Sequence, residues 1–453
     1  MKKCKPYVLI AMLIIMMCFV PVLQGCSPID MRLNNIRNFM LAPQGSEDEA
    51  KIKQLIYDNV GEYTFRYPND GEYRSAVILR DLDSDGESEA IAFYKPKNSL
   101  GATLCMMVVS KDQDDNWYKI GEQTFNLAQI DKVSFGDIDA DNKEEIVVGL
   151  NTPNLSMQQV FVFKCHEDSI EAIIENVDYL DFQFQDFDED LLYEMILFSL
   201  IPTENDIYTR LMKYNQSQYT FETIGQIKMD SHITEYKNII FADVFSDQVG
   251  VAVDAVLSDG RLATEIIYWD KLNQTLKAPI FSNPQLYESL KRDTIILSED
   301  INEDGIIDLP SDLSRGIKQE TTDKYCPIIS WQNYNNNDST MVTISDRIVN
   351  YDDGYYITFP AGWGNKIVGK LDSSTQTLTI SYKSESEGNI TSTGDAILKV
   401  KAFSRHIWDN SLENAEEFTE ILTTGNIVYA VKIYDNPEYF INEETLKNNF
   451  SLL

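Results

Sequence analysis

The chain has 453 residues, enough for two or three domains and a sizeable hydrophobic core. Its 72 acidic residues against 38 basic ones leave a formal charge of −34, and no basic patch interrupts the excess, which argues against a nucleic-acid partner. Cys105, Cys165 and Cys326 lie in or beside apolar runs without metal-ligand spacing, so they read as buried thiols rather than a disulfide framework.

The amino terminus is basic, with Lys2, Lys3 and Lys5. Tyr7 to Val22 is almost wholly apolar, and Leu23-Gln24-Gly25-Cys26 follows. This is the order of a secretory leader, and the apolar run falls short of the about 20 residues that span a bilayer comfortably. Its ending resembles the lipobox of bacterial lipoproteins, in which the leader is cut before the cysteine and the thiol carries a diacylglycerol. Gln24 stands where a smaller residue is more usual. The resemblance implies a signal peptide over residues 1–25, lipidation at Cys26, and a place on the extracytoplasmic face of the cell membrane. The mature chain then carries −37, from 35 basic and 72 acidic residues. An uncleaved anchor, the alternative, also puts the bulk of the chain outside the cytoplasm.

Residues 26–61 form a tether followed by a helix. The stretch from 27 to 45 shows no sustained period. Ser46 and Glu49 make a capping box, and Ile52, Leu55, Ile56 and Val60 share one face, predicting a helix from about 47 to 60 that docks on the domain beyond it.

From Val77 to Tyr94 an apolar run, an acidic loop and a second apolar run follow one another. Asp81, Asp83, Asp85 and Glu89 take loop positions 1, 3, 5 and 9, and Gly86 takes position 6. Alternate carboxylates turned inward around a sharp glycine bend wrap a hard cation, and calcium is the natural ligand. The pattern returns at Asp137, Asp139, Asp141 and Glu145, with Asn142 at position 6. It returns again at Asp300, Asn302, Asp304 and Asp308, with Gly305 there. A copy from Asp186 to Glu194 has Leu191 at position 6, which argues against an ordinary cation loop. A worn copy from Asp243 has Phe245 and Val251 at positions 3 and 9 and is expected to be metal-free. Asp, Asn and Gly also favour tight turns through side-chain hydrogen bonds, so a loop of this kind can persist without metal.

The loop starts are separated by 56, 49, 57 and 57 residues, a period that signals stacked supersecondary units. Up to four apolar runs fall in one period. In the second unit these are 129–135, 145–150, 158–164 and 169–174, the strand count of a propeller blade. The fifth unit is expected to use 294–297, 328–334 and 341–349, with an insertion around Pro310 to Tyr325. Trp117, Trp269 and Trp331 fall on comparable third-strand positions, which predicts packing between units rather than a carbohydrate platform.

The Phe/Leu-x-Asp-x-Asp-x-Asp-Gly-x-x-Glu-Ile/Ala-Val pattern over about residues 73 to 350 resembles the FG-GAP and VCBS repeats of bacterial surface proteins and integrin-type β-propellers. The resemblance implies a mainly β fold, a β-propeller of about five four-stranded blades over residues 62–350, with acidic loops that bind calcium between the strands of a blade. Residues 351–453 follow as a small α+β domain, with strands near 355–359, 366–371, 377–382, 397–403 and 427–434. Helices are expected there at 411–422 and 442–450.

His166, His232 and His406 fall in different units without a nucleophile-elbow pattern, which argues against a catalytic triad. The sequence reads as a lipid-anchored binding or scaffold protein with calcium-stabilised loops and a protein or glycan ligand at the cell surface. A glycoside hydrolase using a carboxylate pair is the alternative. A deep pocket with convergent acids outside the cation loops would separate the two.

Overall fold

The computed structural model describes residues 47–97, 103–126, 129–151, 158–201, 206–314, 324–386, 389–391, 394–410, 417–434 and 442–453. The leader, Cys26, the tether and the capping residue Ser46 lie outside the described residues. The chain divides into two units at Gly61. In the first, helix α1 (Glu47–Val60) matches its expected span, with Ile52 and Ile56 buried and Leu55 and Val60 partly so. Among the described residues no helix is long and apolar enough to cross a membrane.

The second unit is mainly β, in antiparallel sheets of four to six strands and one two-stranded hairpin. Sheet I holds β1 (Tyr63–Phe65), β2 (Val77–Arg80), β3 (Glu89–Pro96), β4 (Thr103–Lys111) and β5 (Trp117–Asn126), with β1 and β2 sharing the outer side of β3. Sheet II is the meander β6 (Gln129–Gly136), β7 (Glu145–Asn151), β8 (Gln158–Cys165) and β9 (Ile170–Tyr179). Sheet III repeats it with β10 (Asp181–Gln185), β11 (Glu194–Ile201), β12 (Asp206–Asn215) and β13 (Thr220–Lys228). Sheet IV follows with β14 (Ile233–Phe245), β15 (Gln248–Leu257), β16 (Leu262–Asp270) and β17 (Thr275–Lys277). The second strands are buried along most of their length, Glu89–Tyr94 and Glu145–Leu150 without a break. Burial on both faces explains why they read as continuous apolar runs rather than alternating ones.

After the short helix α2 (Pro284–Ser289) the fifth unit departs from its expected form. Residues 294–297 are not a strand; the isolated bridges Leu262↔Arg292, Glu299↔Asp308 and Asp243↔Ile306 lie around them. Side chains take the groups a ladder would use. The Arg292 guanidinium donates to the Ile296 carbonyl at 2.7 Å, and Asp254 accepts the Ser298 N–H at 2.7 Å. Pro310 does not open an insertion but lies in β18 (Leu309–Asp312), an edge strand paired on one side, where a missing N–H is tolerated.

Beyond it come β19 (Lys324–Cys326), β20 (Ile328–Asn335), β21 (Thr340–Asn350) and β22 (Tyr355–Pro360), then β23 (Ile367–Asp372), β24 (Thr377–Tyr382), β25 (Ser384–Ser386) and β26 (Asn389–Thr391). The chain ends through β27 (Ala396–Ser404), α3 (Arg405–Asn410), β28 (Thr419–Thr424), β29 (Ile427–Ile433), α4 (Glu443–Asn449) and β30 (Phe450–Leu452). Sheet V runs β18-β20-β21-β22-β30 and sheet VI runs β19-β23-β24-β27-β29-β28. The two exchange strands in sequence: β19 crosses into VI, while β22 and the carboxyl-terminal β30 join V. One core fills both, including Cys326, Ile328, Ile348, Tyr355, Ile367 and Phe450.

The helix expected over 411–422 is overturned at its end, since 419–422 lies in β28; residues 411–416 lie outside the described residues. Gly425 and Asn426 close a two-residue hairpin between Thr424 and Ile427, with Gly425 at φ 53°, and this turn forces the β-branched flank into a strand. The tryptophans are not equivalent either. Trp117 opens a fourth strand because the Asp112–Asn116 turn is short, whereas Trp269 and Trp331 sit in β16 and β20. All three are buried, and Trp269 packs across a sheet boundary: a Cβ on Gly225 of β13 would lie 3.0 Å from its ring.

Candidate functional site

Four acidic loops share one geometry. They are called loops I, II, III and V after their sheets, starting at Asp81, Asp137, Asp186 and Asp300. The position-1 carboxylate accepts the N–H of position 6: Gly86 at 3.1 Å, Asn142 at 2.9 Å, Leu191 at 3.0 Å and Gly305 at 2.9 Å. The position-9 carboxylate accepts the N–H of position 2, from Leu82, Ile138, Phe187 and Ile301 at 2.9 to 3.0 Å. Positions 4 and 6 are left-handed in every copy, at φ 57–61° and 63–93°. Gly86 and Gly305 take this bend freely, Asn142 tolerates it, and Leu191 holds it at φ 73° although a branched side chain resists it.

The position-2 side chain anchors loops I, II and III. Leu82, Ile138 and Phe187 are buried, each contributing about 1.5–3 kcal/mol against about 1 kcal/mol for one loop hydrogen bond. The loops are therefore held before any cation is counted. The copy that starts at Asp243 has gone further: Phe245 pairs with Gln248 and a two-residue hairpin replaces the acidic wrap.

The loops also link successive sheets. The position-8 N–H of loop II, Glu144, donates to Leu82 of loop I at 2.7 Å, and that of loop III, Tyr193, donates to Asp137 of loop II at 2.8 Å. Ile307 of loop V donates to Asp243 of β14 at 2.9 Å.

What lies opposite position 9 differs from sheet to sheet. In sheet I, Ser110 Oγ donates to Glu89 Oε1 at 2.9 Å; in sheet V, Asn333 Nδ2 donates to Asp308 Oδ1 at 3.0 Å. In sheet II, Lys164 Nζ meets Asp139, Asp141 at 2.9 Å and Glu145 at 3.8 Å. In sheet III, Lys213 Nζ lies 2.7 Å from Asp188, 2.6 Å from Asp190 and 2.8 Å from Glu194. Burial pushes Glu145 up to about 8 and Glu194 up to about 7, and raises Glu89 and Asp308 in the same direction. Burial opposes the charge on Lys213, but its bonds to Asp188, Asp190 and Glu194 outweigh that and hold its pKa above the ordinary value.

The fit to a metal ion follows from these donors. Asp81, Asp83 and Asp85 bring ligand oxygens within 4.8 Å of one another, as do Asp137, Asp139 and Glu145, and Asp186, Asp188 and Glu194. Buried carboxylate oxygens without a hydrogen-bond partner occur in three of the loops, Asp81 Oδ1 in loop I, Asp139 Oδ1 and Glu145 Oε1 in loop II, and Asp188 Oδ1 and Glu194 Oε1 in loop III; in loop I no lysine among the described residues approaches the oxygen-only set, which suits a hard cation. In loop V, Asp300, Asn302, Asp304 and Asp308 offer oxygens too, with Asn302 Nδ2 donating to Asp304 at 2.9 Å.

A separate cavity of about 560 Å³ is lined by the first strands of four sheets: Arg80 of β2, Lys132 of β6, Asp181 and Gln185 of β10, and Asn238 of β14. Asp70, Glu72, Tyr73 and Tyr193 are among the other polar residues of its wall. Arg80 forks onto Glu144, and Lys132 bonds Asp181 and the Phe182 carbonyl at 2.7 Å while sitting 4.5 Å above the Phe182 ring. Gly136 leaves room for Tyr193, since a Cβ there would fall 2.0 Å from the ring. No cavity residue belongs to the sequence-derived cation set. None of the three histidines lines it either; His166 meets Glu171 at 3.0 Å, His232 meets Asp230 at 2.7 Å, and His406 meets Asn410 at 3.2 Å.

Among the described residues Cys105, Cys165 and Cys326 are free thiols, the first and last buried. Burial pushes Cys165 and Cys326 up to about 12.

No protein-family model and no curated protein matches the chain. Among solved structures, the exotype rhamnogalacturonan lyase YesX is similar at 11% identity and TM-score 0.31, covering 73% of this chain and 75% of its own. The Dos1 propeller is similar at 10% identity and TM-score 0.27, covering 81% and 80%. An exo-β-1,3-galactanase from Phanerochaete chrysosporium is similar at 12% identity and TM-score 0.28, covering 82% and 88%.

Proposed function

We propose that the protein is a lipid-anchored, extracytoplasmic binding module built on a β-propeller of about five blades, with calcium in loops I and V and a polar ligand in the cavity. The cavity carries this reading. First strands of four consecutive sheets face it, as blades face a common axis. Its volume lies within the usual range for ligand pockets. Charged and amide groups beside Tyr73 and Tyr193 suit a polyhydroxylated ligand, which a glycan at the cell surface supplies. Calcium, when bound, adds stability to the loops that link neighbouring sheets; the chain's own contribution is the oxygen set of Asp81, Asp83, Asp85 and Glu89, and of Asp300, Asn302, Asp304 and Asp308. Anchoring rests on Cys26 at the end of the leader.

Asp70, Glu72 and Asp181 share the cavity, and this favours glycoside hydrolysis by a carboxylate pair as the second reading. The test is calorimetric titration with an oligosaccharide panel, on the parent and on Gln185→Ala. Binding that weakens at least tenfold in the variant, with an unchanged melting midpoint, is expected. Turnover abolished by Glu72→Gln would replace binding with hydrolysis, and absence of binding across the panel would sink the glycan reading.

A further inference from the structure

We propose that Lys164 and Lys213 are built-in cations that take the place of calcium in loops II and III, so that these two loops bind no metal. The proposal rests on the calcium reading only for its contrast with loops I and V. The strand register sets it up: Ile146 pairs with Phe163 and Met195 with Met212, so Glu145 faces Lys164 and Glu194 faces Lys213 across neighbouring strands. The same register puts Ser110 opposite Glu89 and Asn333 opposite Asp308. A third-strand position therefore holds a lysine in two sheets and a neutral side chain in the other two.

In loop III the ammonium donates to Asp188 and Asp190 and stands within ion-pair distance of Glu194. An ammonium has three hydrogens to donate, and Lys213 Nζ has three carboxylates, Asp188, Asp190 and Glu194, at 2.6 to 2.8 Å. Lys164 pairs with Asp139 and Asp141 in the same way and stands farther off, at 3.8 Å, from Glu145. Both lysines are largely withdrawn from solvent, with side chains 22% and 18% exposed, so the contact is a built part of the loop rather than a surface encounter. A divalent ion wrapped by the same carboxylates would sit against the ammonium, and two positive charges at such a separation in a partly buried site repel strongly. Lysine and metal exclude each other. The arrangement also accounts for Leu191: with the lysine bonded to positions 3 and 5 and paired in charge with position 9, the loop keeps its fold although its sixth residue is poorly suited to the bend.

The experiment counts calcium ions per folded chain by equilibrium dialysis, on the parent, Lys213→Ser and Lys164→Ser, which install the side chain that sheet I carries at this position. Each variant is folded with and without calcium chloride and followed by circular dichroism. One additional calcium per substitution, or a variant that folds only when calcium is present, is the expected result. Unchanged stoichiometry, or a variant unfolded under both conditions, would overturn the proposal. The parent's own count is a separate readout: a parent that binds none, beside a Lys213→Ser chain that binds one, upholds the lysine assignment and removes calcium from loops I and V.

Discussion

Arg80 and Glu144 form a two-bond fork across the seam between sheets I and II, Nη2 donating to Oε1 at 2.5 Å and Nε to Oε2. Glu144 also donates its backbone N–H to Leu82 at 2.7 Å, so one residue of loop II grips both the first strand and the loop of sheet I. Hydrogen bonding to Glu144 raises the Arg80 pKa above its ordinary value, against the cost of burial. Planar fork geometry makes this pair stronger than a point contact, while its partial exposure keeps it within the range of surface pairs. Arg80→Ala is expected to cost roughly 1 kcal/mol, and Arg80→Lys to recover only part of it. Urea unfolding measures both; equal stability of the lysine variant and the parent would show that the fork contributes nothing beyond charge.

Calcium is expected to raise the melting midpoint through loops I and V. A ligand that binds only the folded state stabilises it by RT ln(1 + [L]/Kd), which at 100 times Kd is about 2.7 kcal/mol per site. Magnesium should substitute poorly, since it prefers a smaller octahedron and gives up water reluctantly. Melts with chelator, calcium or magnesium, on the parent, Asp83→Ala and Asp304→Ala, check this. If calcium leaves the parent's midpoint unmoved, the loops are hydrogen-bonded turns alone.

The pH dependence of stability follows from Glu265. It is buried in β16, where its carboxylate accepts the N–H groups of Ile266 at 2.9 Å, Ile280 at 3.0 Å and Phe281. Burial outweighs these donors and pushes its pKa from 4.5 up to about 8. The folded state then binds the proton more tightly than the unfolded chain. This contribution is whole below about pH 4.5 and is lost as pH rises through about 8. The midpoint is expected to fall between pH 5 and pH 8, with a shallower fall in Glu265→Gln. A midpoint that rises across this window in the parent, and not in the variant, would show that the three donors hold Glu265 as an anion.

The loops and most strands were legible in the sequence because their causes are local. Asp at positions 1 and 5, an apolar residue at 2 and a glycine at 6 each act within nine residues, and the runs between them are long enough to read. What opposes position 9 was not legible, because Lys164 and Lys213 reach their loops only through the register of the next hairpin. The signal existed: each lysine follows its glutamate by 19 residues in two successive units. Non-local causes account for the other departures too. Arg292 removes the first strand of the fifth unit by taking carbonyls from three separate stretches, and the cavity draws on four sheets at once. The Gly425-Asn426 hairpin was local, but a helical spacing of Phe418 and Ile421 masked it.

The pair Arg292 and Asp254 is the most deeply placed ion pair among the described residues, both side chains being fully buried at 2.8 Å. Arg292 also donates to Thr264 Oγ1 at 2.8 Å and to the carbonyls of Leu290, Ile296 and Pro310, while Asp254 accepts from Ser298 at 2.7 Å and from Thr264 at 2.5 Å. The network ties β15 and β16 to the irregular segment that replaces a strand and to β18. Burial lowers the Arg292 pKa, and the charge of Asp254 opposes that. Removing one partner leaves a buried charge without compensation, so Arg292→Met and Asp254→Asn are each expected to cost about 3–5 kcal/mol. The double variant should cost less than the sum of the two, because it buries no orphaned charge, and the coupling should be roughly 1–3 kcal/mol. A double-mutant cycle by urea unfolding gives that number directly. Costs that simply add would mean that each residue is held by its separate bonds to the backbone and Thr264, and that the ion pair itself does not join sheet IV to sheet V.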